Sequence, residues 1–435
     1  MPSDGLFGPL FAPDEIREAV SGRAWLAAML EAEAALARAE ARAGVVPGEA
    51  ADRIVSCCDA ARFDPDALGT EGRDVGNPAE PLVRRLREEV GDEAAGFVHW
   101  GATSQDILDT ASMLVARRAL DLILSELDAA AGACARLADT YRSTPMAGRT
   151  LLQQAVPTTF GSKAAGWLVG LLDGRRLLVR VRDERLAAEL GGAAGTLAAL
   201  GGAGPEVLRL FAEELGLAEP VVPWHAQRAR IAELGGALDV ASGTLAKIGL
   251  DIALLAQTEV GEVVVRPGGG SSTMPHKRNP VDSTIAVACA RRVNALAGVL
   301  SGGLASEHER AAGSWHAEWE PLSDALALTG GAADRIRAAL DGLEVDPERM
   351  RRNLDLTGAA LLAERVELRL AERVGRSAAR ELVAAAVSAD SFRDGLAQHV
   401  DPVELDELLE PSTYAGAADV FVDRALAFAR QELGG

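Results

Sequence analysis

Apolar positions recur along this chain at helical spacing. Leu120, Leu124, Leu127, Ala131 and Cys134 are four, three, four and three residues apart, and Leu238, Ala241, Leu245, Ile248, Ile252 and Leu255 alternate steps of three and four. Such a stripe runs along one face of a helix, and strict alternation makes it the seam between nearly parallel helices. The stretch from Val281 to Leu304 is mostly Ala, Val and Leu, which predicts a core helix with neighbours on several sides. Gly235, Gly236, Gly243 and Gly249 fall beside the second seam. Each costs about 1 kcal/mol of helix propensity relative to Ala, so some predict close helix approach and others a helix start. No alternation of strands with helices and no evenly spaced short strands interrupt the pattern, and the prediction is a nearly all-α protein.

Breaks fall at Gly191-Gly192, Gly201 to Pro205, Val221 to Pro223 and Pro267 to Gly270. Asp346-Pro347 reads as a fresh helix start, with Asp as cap and Pro in the first turn. With the Gly101 to Ser104 turn as the other edge, the expected organisation is three helical domains: 1–110, a central long-helix domain 111–350, and 351–435. No internal repeat is visible.

Composition narrows the functional classes. The chain has 435 residues and a formal charge of −20, from 44 Lys+Arg against 64 Asp+Glu. Phosphate would repel it, and no basic run offsets this, so no nucleic-acid partner is expected. Apolar residues make up 48% and aromatics only 4%, an interior of small aliphatics that suits close helix packing. No stretch reaches 18 uninterrupted apolar residues and the first residues lack the pattern of a secretory signal. A cytoplasmic protein without a membrane partner is the expectation. Cys57, Cys58, Cys134 and Cys289 form no CxxC pair and read as free thiols. His308, His316 and Glu318 lack the spacing that brings three ligands to one helix face, so no metal site is expected.

Four segments carry candidate chemistry. Gly269-Gly270-Ser271-Ser272-Thr273-Met274-Pro275-His276-Lys277-Arg278-Asn279-Pro280 is glycine-rich on one side and proline-stiffened on the other, with two cations in a strongly acidic chain. It fits a lid that captures a small polyanion, and equally a solvated hairpin with chance basic residues. His99-Trp100-Gly101-Ala102-Thr103-Ser104-Gln105-Asp106 places two hydroxyls at a helix start, where they serve as a carboxylate site or simply as caps. Gly148 to Thr159 reads as a polar turn with Arg149, leading into a helix. The fourth runs from Glu307 to Glu320 and includes Arg310.

Together these segments resemble the fumarase/aspartase superfamily. Its most specific signature, Gly-Ser-Ser-x-Met-Pro-x-Lys-x-Asn, is matched at every fixed position by residues 270–279, and the other segments follow in the expected order. The likeness spans nearly the whole chain. Within the superfamily, Pro223 to Arg228, Ser314 to Glu320 and Met350 to Thr357 look like the cycloisomerase branch. The resemblance implies an all-α subunit in a homotetramer, with a 20-helix core and each active site built from three subunits. It implies no cofactor and a small polycarboxylate substrate. It gives Ser271 the role of general base, beside Ser272, and gives Lys277, Asn279, Thr103 and Ser104 the substrate carboxylates. His99, Arg149, Gln154, Gln227 and Arg310 follow as further substrate-binding candidates.

One departure bears on the reaction. Lyases of the superfamily usually carry His after Gly-Arg-Thr, to protonate an amine or hydroxide leaving group; here the position is Leu151, and Gln154 stands where many relatives have a second His. A carboxylate leaves without a proton, because its conjugate acid has a pKa near ~4. The resemblance therefore points to a cycloisomerase that adds a carboxylate across a double bond of a carboxymuconate. Elimination of a weakly basic group, such as nitrite from a nitrosuccinate, is the alternative, ahead of an adenylosuccinate-type lyase. A non-catalytic role on the same scaffold is disfavoured by the intact loop signature.

Overall fold

The computed structural model describes residues 5–91, 93–266, 269–270, 274, 277–389 and 391–434. Helices dominate. They include α1 (Gly22–Arg42), α2 (Ala79–Val90) and α3 (Ser104–Thr140), followed by a hairpin of β1 (Pro145–Thr150) and β2 (Gln153–Thr159). After it come α4 (Phe160–Arg180), α5 (Ala229–Leu255), β3 (Val263–Val265), β4 (Gly269–Gly270), β5 (Arg278–Asn279), α6 (Val281–Gly302), α7 (Trp319–Asp341), β6 (Leu343–Val345) and α8 (Pro347–Leu354). Among the described residues the all-α expectation holds apart from three two-stranded antiparallel pairs, β1–β2, β3–β6 and β4–β5, and one isolated parallel bridge between Ala187 and Ala218.

The chain forms two compact units. One comprises Met1–Glu126, Gly174–Leu245 and Ile285–Asp334; the other Leu127–Asp173, Ala246–Thr284 and Arg335–Gly435. Both expected seams are buried. Leu120, Leu124, Leu127, Ala131 and Cys134 line the inner face of α3, and Leu238, Ala241, Leu245, Ile248, Ile252 and Leu255 that of α5. Two of the four seam glycines mark close approach. A Cβ on Gly249 would sit 2.7 Å from the Ser283 carbonyl oxygen, and one on Gly235 would sit 3.0 Å from Leu300. Gly236 and Gly243 face open space, and none of the four starts the helix, which begins at Ala229.

Local signals explain several boundaries. Ser21 caps α1 through Ala24 N, and Asp346 caps α8 through Arg349 N at 2.8 Å, with Pro347 in the first turn as expected. The third chemical segment is not a polar turn. It forms the β1–β2 hairpin, with a register shift at Gly148, where a Cβ would lie 2.7 Å from the Val156 carbonyl oxygen. Helix α6 differs too. Only 28% of its most apolar 18-residue window is buried, rather than being packed on several sides. By length and composition α6 could cross a bilayer. Arg291 and Arg292 at its middle would cost roughly 3 kcal/mol each there.

Candidate active site

The first unit gathers five of the site candidates around one buried carboxylate. Thr103 ends the loop that precedes α3 and Ser104 is its first residue. The cap is supplied by neither hydroxyl. Thr103 N donates to Asp106 Oδ2 at 2.9 Å, the reciprocal half of a capping box, and both hydroxyls stay without a protein partner among the described residues. Asp106 also accepts from Gly191 N (2.9 Å), Gly192 N (3.0 Å) and His225 Nε2 (2.6 Å). It thereby ties together the 99–104 loop, the 186–192 segment and the 223–228 loop. Gln227 is exposed on the last of these, between buried His225 and Arg228. Arg310 reaches the same centre, donating from Nε to Gln105 Oε1 (3.1 Å) and from a terminal nitrogen to the Gly192 carbonyl (3.4 Å). His99 opens the loop, and its Nδ1 lies 2.6 Å from Glu33 Oε1.

A charged cage underlies this centre. Arg228 is buried between Asp109, which takes a 2.6 Å and a 3.0 Å bond, and Glu318. Trp315 Nε1 donates to Asp109 at 3.0 Å, and Gln105 Nε2 bridges Asp109 and the His225 carbonyl. Burial presses the Arg228 guanidinium toward neutrality, but Asp109 and Glu318 outweigh it and hold it charged. Burial, with Asp106 and Asp109 nearby, lifts the Glu189 carboxyl well above the usual range, against the Trp224 N–H and Arg228 that favour its ionised form. Asp106, Glu189 and His225 offer ligand atoms within 4.8 Å of one another. In the structure three backbone N–H groups and His225 Nε2 converge on the Asp106 carboxylate, so the trio serves as a hydrogen-bonded anchor.

The second unit holds the other candidates in two places. Arg149, on β1, forms a two-pronged pair with the buried Glu262, at 2.9 and 2.6 Å. Gln154 is its cross-strand neighbour and donates to the Asn353 carbonyl at 2.9 Å, while Asn353 Nδ2 donates to Glu262 Oε1 at 2.8 Å. Arg149 and Gln154 thus brace the hairpin against α8, and the charge of Arg149 is met inside its own unit. The hairpin tip, Leu151-Leu152, lines a cavity of about 510 Å³ with Lys163, Lys247 and Asp251. Burial pushes the Lys163 ammonium down, and Asp251 at 3.8 Å opposes that. Lys277 and Asn279 line another cavity, of about 630 Å³, with Gln257, Glu259 and Met274. Asn279 pairs with Gly269 across β4–β5, and Lys277 is exposed. Ser271, and with it Ser272 and His276, lies outside the described residues.

Sequence reasoning missed Asp106, Glu189, Glu262 and Glu33 as site-building groups. The Thr-x-x-Asp spacing at 103–106 was a readable signal for the first. Nothing in local sequence marks the other three, whose partners lie 66 to 113 residues away or across a fold-dependent loop.

A mostly helical chain with hydroxyls beside the start of its longest helix matches a family of lyases. A family model described as Lyase matches residues 11–294. The chain is 46% identical to 3-carboxy-cis,cis-muconate cycloisomerase of Pseudomonas aeruginosa over 98% of this chain and 97% of that one. It is also 46% identical to nitrosuccinate lyase of Streptomyces davaonensis, over 97% and 94% respectively. The crystal structure of 3-carboxy-cis,cis-muconate lactonizing enzyme from Pseudomonas putida superposes with a TM-score of 0.93 at 42% identity, covering 99% of this chain and all of that one. The chain belongs to this lyase family, the fumarase/aspartase superfamily.

Proposed function

We propose that the protein is a cycloisomerase interconverting 3-carboxy-cis,cis-muconate and a carboxymuconolactone. The observation that carries this reading is the hairpin tip. Where a lyase that expels an amine or hydroxide would present an acid, this chain presents Leu151, 97% exposed, on a hairpin whose ionic pair faces inward. A departing carboxylate needs no proton, and in lactone opening the leaving group is a carboxylate. The relatives named above support the same reading.

In the forward direction a carboxylate oxygen adds to the diene, and electron density passes to the carbon beside another carboxylate. Thr103 and Ser104, whose hydroxyls the Asp106 cap leaves available, bind one substrate carboxylate. Lys277 and Asn279 bind another. These donors stabilise the doubly charged aci-carboxylate intermediate. Ser271 exchanges the proton at that carbon. Gln227 and Arg310 add donors beside the Asp106 centre, and the assembly is a homotetramer whose sites draw residues from several subunits.

A second reading, elimination of nitrite from nitrosuccinate, is favoured by the equally similar nitrosuccinate lyase. The two are separated by assaying the purified protein with each compound in parallel. Loss of diene absorbance with the muconate is expected; turnover of nitrosuccinate alone would replace the assignment. Ser271→Ala is expected to lower kcat by about 10²-fold or more without changing the circular dichroism, and retained activity would move the base elsewhere.

A further inference from the structure

Behind His99 lies a buried carboxyl pair that the mechanism above does not use. Glu33 and Glu40 sit seven residues apart on α1, and both are closed to solvent. Glu33 Oε1 meets His99 Nδ1 at 2.6 Å, while its Oε2 is buried without a hydrogen-bond partner among the described residues. The His99 side chain is 12% exposed. Its backbone is left-handed, with φ of +62°, a conformation that costs a non-glycine residue on the order of 1 kcal/mol. The loop therefore holds the ring against Glu33 at some expense, three residues before the Ala102-Thr103-Ser104 carboxylate site.

The charges facing this pair come from three helices. Arg87 on α2 and Asp106 on α3 act on the ring, and Glu33 in turn acts on Glu40 along α1. Burial, reinforced by Glu33, lifts Glu40 to about 9, so Glu40 is neutral near pH 7. Burial likewise pushes the neighbouring Cys58 thiol up to about 12. Glu33 is the side chain that His99 meets on that side, at 2.6 Å.

We infer that Glu33 is a positioning residue that keeps His99 as an oriented imidazolium, whose second ring nitrogen donates to a substrate carboxylate beside Thr103 and Ser104. The inference rests on the polycarboxylate reading above. A carboxylate can only accept, so Nδ1 carries a hydrogen toward Glu33. When the ring is charged, Nε2 is also a donor. When it is neutral, Nε2 is a bare acceptor and repels a carboxylate. Burial alone would favour the neutral ring, but Glu33 outweighs burial and raises His99 above its ordinary value near 6.5. Substrate capture should therefore fail as pH rises through the titration of this ring.

The test combines ring-nitrogen NMR with pH–rate profiles for wild type, Glu33→Gln and His99→Gln. Glu33→Gln is expected to lower the His99 midpoint by about one pH unit or more, and the basic limb of kcat/KM moves down with it, mostly through KM. His99→Gln, a neutral donor, is expected to lose that limb and raise KM about tenfold at pH 7. An unmoved ring midpoint in Glu33→Gln, or one shared basic limb in all three proteins, overturns the inference. If Glu33→Gln does not fold, a wild-type ring midpoint at or below the ordinary value overturns it instead. Should the wild type turn over no muconate, the proposed function fails separately. Tricarballylate then serves as probe: a His99 midpoint that rises on its addition supports the dyad, and one that does not overturns it.

Discussion

Glu40 shows at the scale of one side chain how burial is turned into pH dependence. It is closed to solvent, and neither carboxyl oxygen has a hydrogen-bond partner among the described residues. Its folded-state value of about 9 lies above the ordinary 4.5, so the folded chain holds a proton that the unfolded chain releases. That contribution is complete below about pH 4.5 and is lost as pH climbs toward 9. At pH 7 the loss amounts to at most about 3 kcal/mol. Glu40→Met, of similar length and without a group to desolvate, is expected to stabilise the protein by roughly 2–3 kcal/mol more at pH 7 than at pH 5. Denaturant unfolding at the two pH values measures this; an equal gain at both would show that Glu40 does not titrate on unfolding. The residues of the Thr103 site illustrate what sequence can carry at this scale. Hydroxyls ahead of a helix were visible. That Asp106 takes over the capping, and so leaves the hydroxyls for a ligand, depends on Gly191, Gly192 and His225 arriving from 85 to 119 residues away.

Among the elements, the β1–β2 hairpin was the least legible. Long helices announce themselves because their seams repeat over many turns, and the α3 and α5 stripes were readable for that reason. The hairpin lacks its usual marker. A two-residue turn with both φ values positive calls for Asn-Gly, but Leu151 and Leu152 occupy it at φ +50° and +65°. They are 97% and 77% exposed, so neither packing nor turn chemistry within the chain favours leucine here. A strained, exposed pair of this kind points to a role in what it touches outside its own turn. Replacing the pair by Leu151→Asn with Leu152→Gly is expected to relieve about 1–3 kcal/mol of backbone strain, seen as a higher denaturant midpoint at low protein concentration. If the tip lines the proposed substrate site, the same variant is expected to lose about tenfold or more in kcat/KM through loss of an apolar wall. A variant that gains stability and keeps full activity would show the tip to be idle.

For the molecule as a whole, the decisive fact is how the candidates are distributed. His99, Thr103, Ser104, Gln227 and Arg310 belong to one compact unit; Arg149, Gln154, Lys277 and Asn279 belong to the other. Helix α6, apolar yet only 28% buried through its most apolar window, gives the chain a surface suited to packing against further copies. In the proposed tetramer, the Thr103 group of one subunit meets the Lys277 loop of another. A lesion in each group should then complement. Thr103→Ala and Lys277→Ala, each inactive alone, are expected to regain about a quarter of wild-type activity when unfolded together in equal amounts and refolded, since a random site draws an intact residue from each of two subunits with a chance of one half. Refolding each variant separately and mixing the finished proteins should restore nothing while the subunits stay associated. If co-refolding also restores nothing, the two groups serve a site within one chain, where no mixture can bring an intact pair together unless a wild-type chain is present.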